Sequence, residues 1–372
     1  MTVRAALSLG LESAGGLGRQ VRDTARKLTL QPLAPYSAAA IRIGLGGLYL
    51  IHLLRESVRA DRLWGPGSPF TADLFERTME ARGLDGAFSW WYSLLVTDSA
   101  LVFWAWYALA VVASALLMLG WRTRAVTVLF WFLVVAFYIR GSMANSGWAL
   151  LSLLFANFLL FIASGRHWSL DARRRARRAK EGKKAAGSRF VFWGEETEEL
   201  RRRLVTVLHN GGMAMIALQV MVIYASAAMY KIQGESWRNG TALYYSMMYD
   251  DFSTFPELSA WVASHGTFAA LMAYVTVFSQ MLFPALVFNR RLKYCILVIM
   301  LSTHIGIGLL MALPMFSAIT IVGDLVFLPT TFWLAASRLV RTARAAPEEE
   351  TKPPEPVPPP RNAADAGVGS TA

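Results

Sequence analysis

Apolar runs long enough to cross a lipid bilayer recur along this chain, and most end at charged or aromatic residues. A spanning helix needs about 20 mostly apolar residues, because hydrocarbon offers no partner to exposed backbone N–H and C=O groups. The runs predict about eight spans, near 36–54, 99–119, 125–139, 147–163, 207–230, 267–288, 294–312 and 315–336. Pro314 separates the last two, since proline between apolar runs favours a break over one long helix. With 55% hydrophobic and 17% charged residues over 372 positions, the chain is too apolar for an ordinary soluble domain. The expected fold is therefore an all-α polytopic membrane bundle.

The net charge of +12 is placed at the ends of these runs. Arg122 and Arg124, the RRRARR run at 173–178, RRR at 201–203, the NRRLK turn at 289–293, and Arg338, Arg341 and Arg344 fall on alternate sides of the eight-span arrangement. Segments 55–98 and 231–264 lean acidic. By the positive-inside rule both termini are predicted to be cytoplasmic, in a multi-pass cell membrane protein, with a bacterial plasma membrane as the expected location. The basic loop 164–204 is expected to touch anionic lipid headgroups, and no nucleic-acid module is legible.

These features divide the chain into an N-terminal segment 1–35, a transmembrane domain 36–336, and a tail 337–372 whose Pro-, Glu- and Ala-rich end should be disordered. The outer loops 55–98 and 231–264 are rich in Trp, Tyr, Phe and Gly. They contain short amphipathic helix candidates at 71–82 and 257–264, and aromatic residues at 87–97 that suit the bilayer interface. Cys295 stands alone inside an apolar run and reads as a small packing residue, with no intramolecular disulfide and no Cys-rich metal site possible. Gly211-Gly212 reads as a flexible start to the fifth span. Asn239-Gly240-Thr241 fits a glycosylation sequon.

Ionisable groups inside spans are costly and mark functional sites by default. Arg42 lies about two turns into the first span and can snorkel to headgroups or act as a structural or relay group. His304 and Asp324 fall near mid-depth of adjacent spans and can pair. Asn157 and Gln280 can bridge helices by hydrogen bonds. Lys231 ends the fifth span among Tyr224, Tyr230 and Trp237. It is either an interfacial anchor or, if sheltered from water, a base.

The motifs around these residues resemble the HTTM group, bacterial membrane proteins similar to the transmembrane half of vitamin K-dependent γ-carboxylase. Asn145-Ser146-Gly147-Trp148, leading through a span to Trp168-Ser169-Leu170-Asp171, is similar to the family's polar helix start and its WS(V/L)D exit. Tyr224, Lys231, Trp237 and Gly240 resemble its Y-x6-K…W-x-x-G element, and His304 through Met315-Phe316-Ser317 its H…MFS pair of spans. The resemblance covers roughly residues 36–336 and implies that Lys231 is the counterpart of the lysine that deprotonates vitamin K hydroquinone, with His304 matching a family histidine. Two departures weigh against glutamate carboxylation itself. Ser146 stands where the carboxylase has a functional histidine, and the large lumenal domain is absent.

The first functional reading is thus an enzyme using Lys231 as base on a quinol-like substrate, such as menaquinol or vitamin K hydroquinone. Tyr224 and Tyr230 would position the substrate, Trp237 would cover it, and Gln280 would contact it. No metal is predicted. The alternative is a non-enzymatic membrane component for maturation or export of, or immunity to, a small secreted peptide. A proton-coupled transporter with His304 and Asp324 as relay ranks last.

Overall fold

The structure, a computed structural model, describes residues 23, 26–83, 93–182, 194–249 and 253–345. The expected disorder of 346–372, most of the aromatic stretch at 87–97 and most of segment 1–35 lie outside these residues. Every regular element among the described residues is helical. The helices that matter for the site are α1 (Pro35–Glu56), α2 (Ala72–Ala81), α3 (Ala100–Leu119), α4 (Thr123–Arg140), α5 (Gly147–Leu159) and α6 (Leu170–Lys180). They continue as α7 (Gly194–Gln233), α8 (Ala242–Met247), α9 (Pro256–Ser264), α10 (Gly266–Leu286), α11 (Lys293–Leu310) and α12 (Pro314–Asp324). The amphipathic candidates at 71–82 and 257–264 are α2, N-capped by the Thr71 hydroxyl, and α9, started by Pro256.

Among the described residues six helices are long and apolar enough to cross a membrane, and a seventh is reached if Pro314–Phe327 and Thr330–Leu339 count as one broken span. These make the protein a multi-pass membrane bundle. The expected count of eight is not met, for two physical reasons. The run at 147–163 gives a helix of only 13 residues, about 20 Å long against roughly 30 Å of hydrocarbon. The run at 315–336 is not one helix: α12 ends at Asp324, a 3-10 turn covers Leu325–Phe327, and helix resumes at Thr330. Pro329 lacks an N–H and holds Leu328 in extended backbone, with φ −79° and ψ 123°. The helix Thr330–Ala345 forms part of a separate compact unit.

α1 is the bundle's central strut, packed against α3, α5 and α12, while α7 packs along α10 and α11 packs on α12. Arg42 of α1 does not snorkel. It is fully buried. Its Nη1 donates to the carbonyls of Leu117 (2.6 Å) and Met118 (2.8 Å), its Nη2 to Trp168 (2.7 Å) and its Nε to Ser164 (3.3 Å). The last carbonyls of a helix have no partner within it, so one guanidinium satisfies the end of α3 and ties it to the turn before α6. Gly120 closes α3 at φ 70°, a left-handed conformation that favours glycine. A Cβ there would also stand 2.6 Å from Arg42 Nη1 and 2.4 Å from the Ser169 Cβ.

The Trp168–Asp171 motif completes this knot. Ser169 caps α6 through the Ala172 N–H. The Asp171 carboxylate accepts from the backbone N–H groups of Arg122 (3.0 Å) and Thr123 (2.7 Å) and from the Thr123 hydroxyl (2.8 Å). Partial burial pushes the Asp171 carboxyl up, but these hydrogen bonds at the start of α4 outweigh it and hold the group below its ordinary range.

α7 runs unbroken for 40 residues, about 60 Å, twice the thickness of a hydrocarbon core. Its first turns occupy part of the expected loop 164–204, where Glu198 pairs with Arg201 and Arg202, and Glu199 with Arg203, at helical spacing. Gly211 and Gly212 lie inside this helix, so they are not a flexible start. Cys295 is exposed at the first turn of α11 rather than packed. Asn157 does bridge helices, accepting from Trp131 Nε1 across α4 and α5.

Candidate functional site

Lys231 sits in the last turn of α7, where Gly234 ends the helix and turns the chain into the short helix Glu235–Arg238. That turn brings the Trp237 ring back over the lysine, 5.2 Å from Nζ to ring centroid. The segment is pinned to α10: Tyr274 donates to the Arg238 carbonyl at 2.9 Å. Gly240, at φ 79°, lies so close to α10 that a Cβ would stand 2.8 Å from the Ala270 Cβ.

Nζ of Lys231 donates to Oε1 of Gln280 on α10 at 3.0 Å, and no carboxylate among the described residues pairs with it. Lys231, Trp237 and Gln280 together line one end of a cavity of about 550 Å³ between α7, α10 and α11. Its wall is mainly apolar, with Met272, Val275, Ile299, Ile307 and Phe316 among its residues. Thr276, Ser302 and Thr303 add hydroxyls, and α8 and α9 contribute Ser246, Met247 and Val262. A pocket of this size with few convergent polar groups suits an apolar ligand bearing one or two hydroxyls.

The remaining predicted site residues fall elsewhere. Tyr230 is 76% exposed and does not line the cavity, because it lies about 100° around the helix from Lys231. Tyr224 does not line it either. It is buried and donates from its hydroxyl to Oδ2 of Asp324 at 2.8 Å. His304 is buried beside them, its ring 5.9 Å from Tyr224 and 6.1 Å from Phe316. Among the described residues neither His304 ring nitrogen has a hydrogen-bond partner, nor does Oδ1 of Asp324. The expected His304–Asp324 pair is therefore replaced by a Tyr224–Asp324 pair, and the proton relay loses its first link. Phe316 connects the two groups, touching His304 and lining the lysine cavity.

Asn145 does not line the lysine cavity and donates to the Tyr138 carbonyl at 2.6 Å. It borders a second cavity of about 250 Å³ with Tyr49, His52, Trp64 and Trp148. Residue-by-residue reading missed His52, although it falls in the predicted span 36–54 and its Nδ1 is buried without a partner. It also missed Thr276, Ser302 and Thr303. Their signal is spacing: Thr276 and Gln280 are four apart on α10, so both reach one face.

Asn239 is exposed, its Oδ1 accepting from the Thr241 N–H and hydroxyl. Among the described residues no group of three or more His, Cys, Asp or Glu side chains is placed to hold a metal ion. Comparison with protein-family models, curated proteins and solved structures finds no match for this chain.

Proposed function

We propose that the cavity beside Lys231 binds a quinol-like, lipid-soluble substrate and that Lys231 in its free-amine form takes the proton of a substrate hydroxyl. The observation that carries this reading is the Lys231–Gln280 pair in the lining of a mainly apolar cavity. An amine that donates one N–H to an amide oxygen keeps its lone pair available to a second partner. A carboxylate in place of Gln280 would favour the ammonium. Proton transfer then yields the quinolate and the lysine ammonium, which Gln280 and the Trp237 face both stabilise. The Ser302 hydroxyl is placed to donate to a ring oxygen, while Thr276 and Thr303, whose hydroxyls donate to the Met272 and Ile299 carbonyls, accept from a ring hydroxyl. The resemblance to the carboxylase's transmembrane half supports the same assignment. Menaquinol and vitamin K hydroquinone are the substrates of first choice, and glutamate carboxylation is not part of the proposal.

The test is aerobic quinol consumption by purified protein in nanodiscs. Lys231→Ala and Lys231→Arg should both lose turnover by about 10²-fold or more, since guanidinium cannot act as a base near neutral pH. Turnover retained by Lys231→Arg would overturn the base role.

A second reading rests on the exposed aromatic side chains near the lysine end of α7, among them Tyr230, Tyr245 and Trp261. On this reading they dock a small secreted peptide, and Lys231 is an interfacial anchor. Peptide crosslinking at Tyr245, unchanged by Lys231→Ala and without quinol turnover, would favour it over the enzyme.

A further inference from the structure

At the arginine-rich end of the bundle a cavity of about 670 Å³ opens between the start of α4, the turn before α6 and the charged first half of α7. Arg124, Arg166, Arg175, Arg201 and Arg202 line it, against one carboxylate, Asp171. That carboxylate is engaged by the Arg122 and Thr123 N–H groups and the Thr123 hydroxyl, so it stays ionised, and its one negative charge stands against the five guanidinium groups of the lining. Most of the arginines have partial partners. Arg124 donates to the Leu160 carbonyl, Arg175 to those of Gly165 and Arg166, and Arg201 and Arg202 share Glu198. Among the described residues the Arg166 guanidinium alone of these five has no hydrogen bond or ion pair, although the Arg166 backbone carbonyl accepts from Arg175. Half-burial and the neighbouring Arg175 both act against its charge, so the site holds more positive charge than the protein itself neutralises.

The lining also includes the apolar side chains of Leu30, Pro32, Ile162 and Val205. This mixed lining lies where the apolar stretches of α4, α5 and α7 give way to charge, the level at which lipid headgroups meet acyl chains. A free phosphate would use the arginines alone, whereas a phospholipid uses the apolar side chains as well.

We propose that this cavity binds the phosphate ester of an anionic phospholipid, with Arg166 supplying the guanidinium that has no partner among the described residues, and Leu30, Ile162 and Val205 receiving the first acyl carbons. The site is distinct from the Lys231 cavity and independent of the quinol reading. It rests on the bundle being embedded in a bilayer. It also places headgroup recognition at Arg166, outside the RRRARR run whose charge density first draws the eye.

The experiment is native mass spectrometry of the full chain in detergent, titrated separately with dioleoylphosphatidylglycerol, dioleoylphosphatidylcholine and inorganic phosphate. Wild-type protein is expected to retain phosphatidylglycerol over phosphatidylcholine. Arg166→Gln should weaken phosphatidylglycerol binding about fivefold, the factor one basic residue contributes at an anionic lipid surface. Arg202→Gln, on an exposed helix face, should act in the same direction. Arg290→Gln and Arg291→Gln, on a separate exposed turn, serve as controls and should leave binding unchanged. If inorganic phosphate occupies the site as well as the lipid does, and Arg166→Gln removes it, the phosphate chemistry holds and the source is a soluble anion. Equal binding by wild type and Arg166→Gln, or equal losses in the control variants, would overturn the proposal.

Discussion

Lys231 on α7 and Gln280 on α10 meet through a 3.0 Å hydrogen bond, an amine side chain joined to a neutral amide in the lining of a mainly apolar cavity. The pair links helices that pack along one another, so the position of the amine is set by the bundle rather than by a mobile loop.

Changing Gln280 separates positioning from basicity. Gln280→Leu removes the acceptor that orients the amine and should lower quinol turnover about tenfold or more. Gln280→Glu supplies a carboxylate that holds the amine in its charged form, and should lower turnover by about 10²-fold or more. Steady-state kinetics beside melting curves in detergent check both. Unchanged turnover in Gln280→Glu would remove the amide from the mechanism.

Arg42 is a structural group, and its loss should appear in stability. Arg42→Met strips the carbonyls of Leu117, Met118 and Trp168 of their buried donor. The expected cost is about 3 kcal/mol or more, read from unfolding in a detergent–denaturant titration. Arg42→Lys keeps the charge but lacks the planar fork, so it should recover only part of the loss.

Asp171 makes the same region acid-sensitive. Its carboxyl is held below the ordinary value by the Thr123 and Arg122 hydrogen bonds, which outweigh burial. Its stabilising contribution is thus fully present above an unfolded value of about 3.9 and is lost as pH falls from there through the lower folded value. Thermal unfolding measured from pH 6 downward should show that loss in wild type. Asp171→Asn should remove that component of the acid-induced change and lower stability at neutral pH.

Tyr224 and Asp324 should behave as a coupled pair. Tyr224→Phe leaves the buried Asp324 without its one hydrogen bond and should destabilise by about 1–3 kcal/mol. Combining Tyr224→Phe with Asp324→Leu should cost less than the sum of the two single changes, because no polar atom is then left unmatched. An additive double-mutant cycle would show that the 2.8 Å contact contributes nothing.

The helical class and the neighbourhood of Lys231 were legible because they depend on local pattern. Run length predicts a span, and the Lys231–Trp237 spacing brackets a glycine turn. Gln280 was legible as a polar residue on an apolar helix, though its partner was not, since residue 280 meets residue 231 only through packing. Tyr230 was misplaced because proximity in sequence was given more weight than helical angle. The fate of Arg42 was hidden for a different reason. Nothing local shows that the ends of α3 and the Trp168 turn converge on one guanidinium, and a buried arginine with several carbonyl partners looks in sequence like one bound for the headgroups. The break at Pro329 was available from the residue itself, since proline restricts the conformation of the residue before it.

The unbroken α7 gives these observations a mechanical consequence. Arg201 and Lys231 ride on the same stretch of helix, about 45 Å apart along its axis, with no hinge between them. Any tilt or axial slide imposed where the guanidinium groups sit is carried along the rod to the amine, so the two ends of the protein share a single lever.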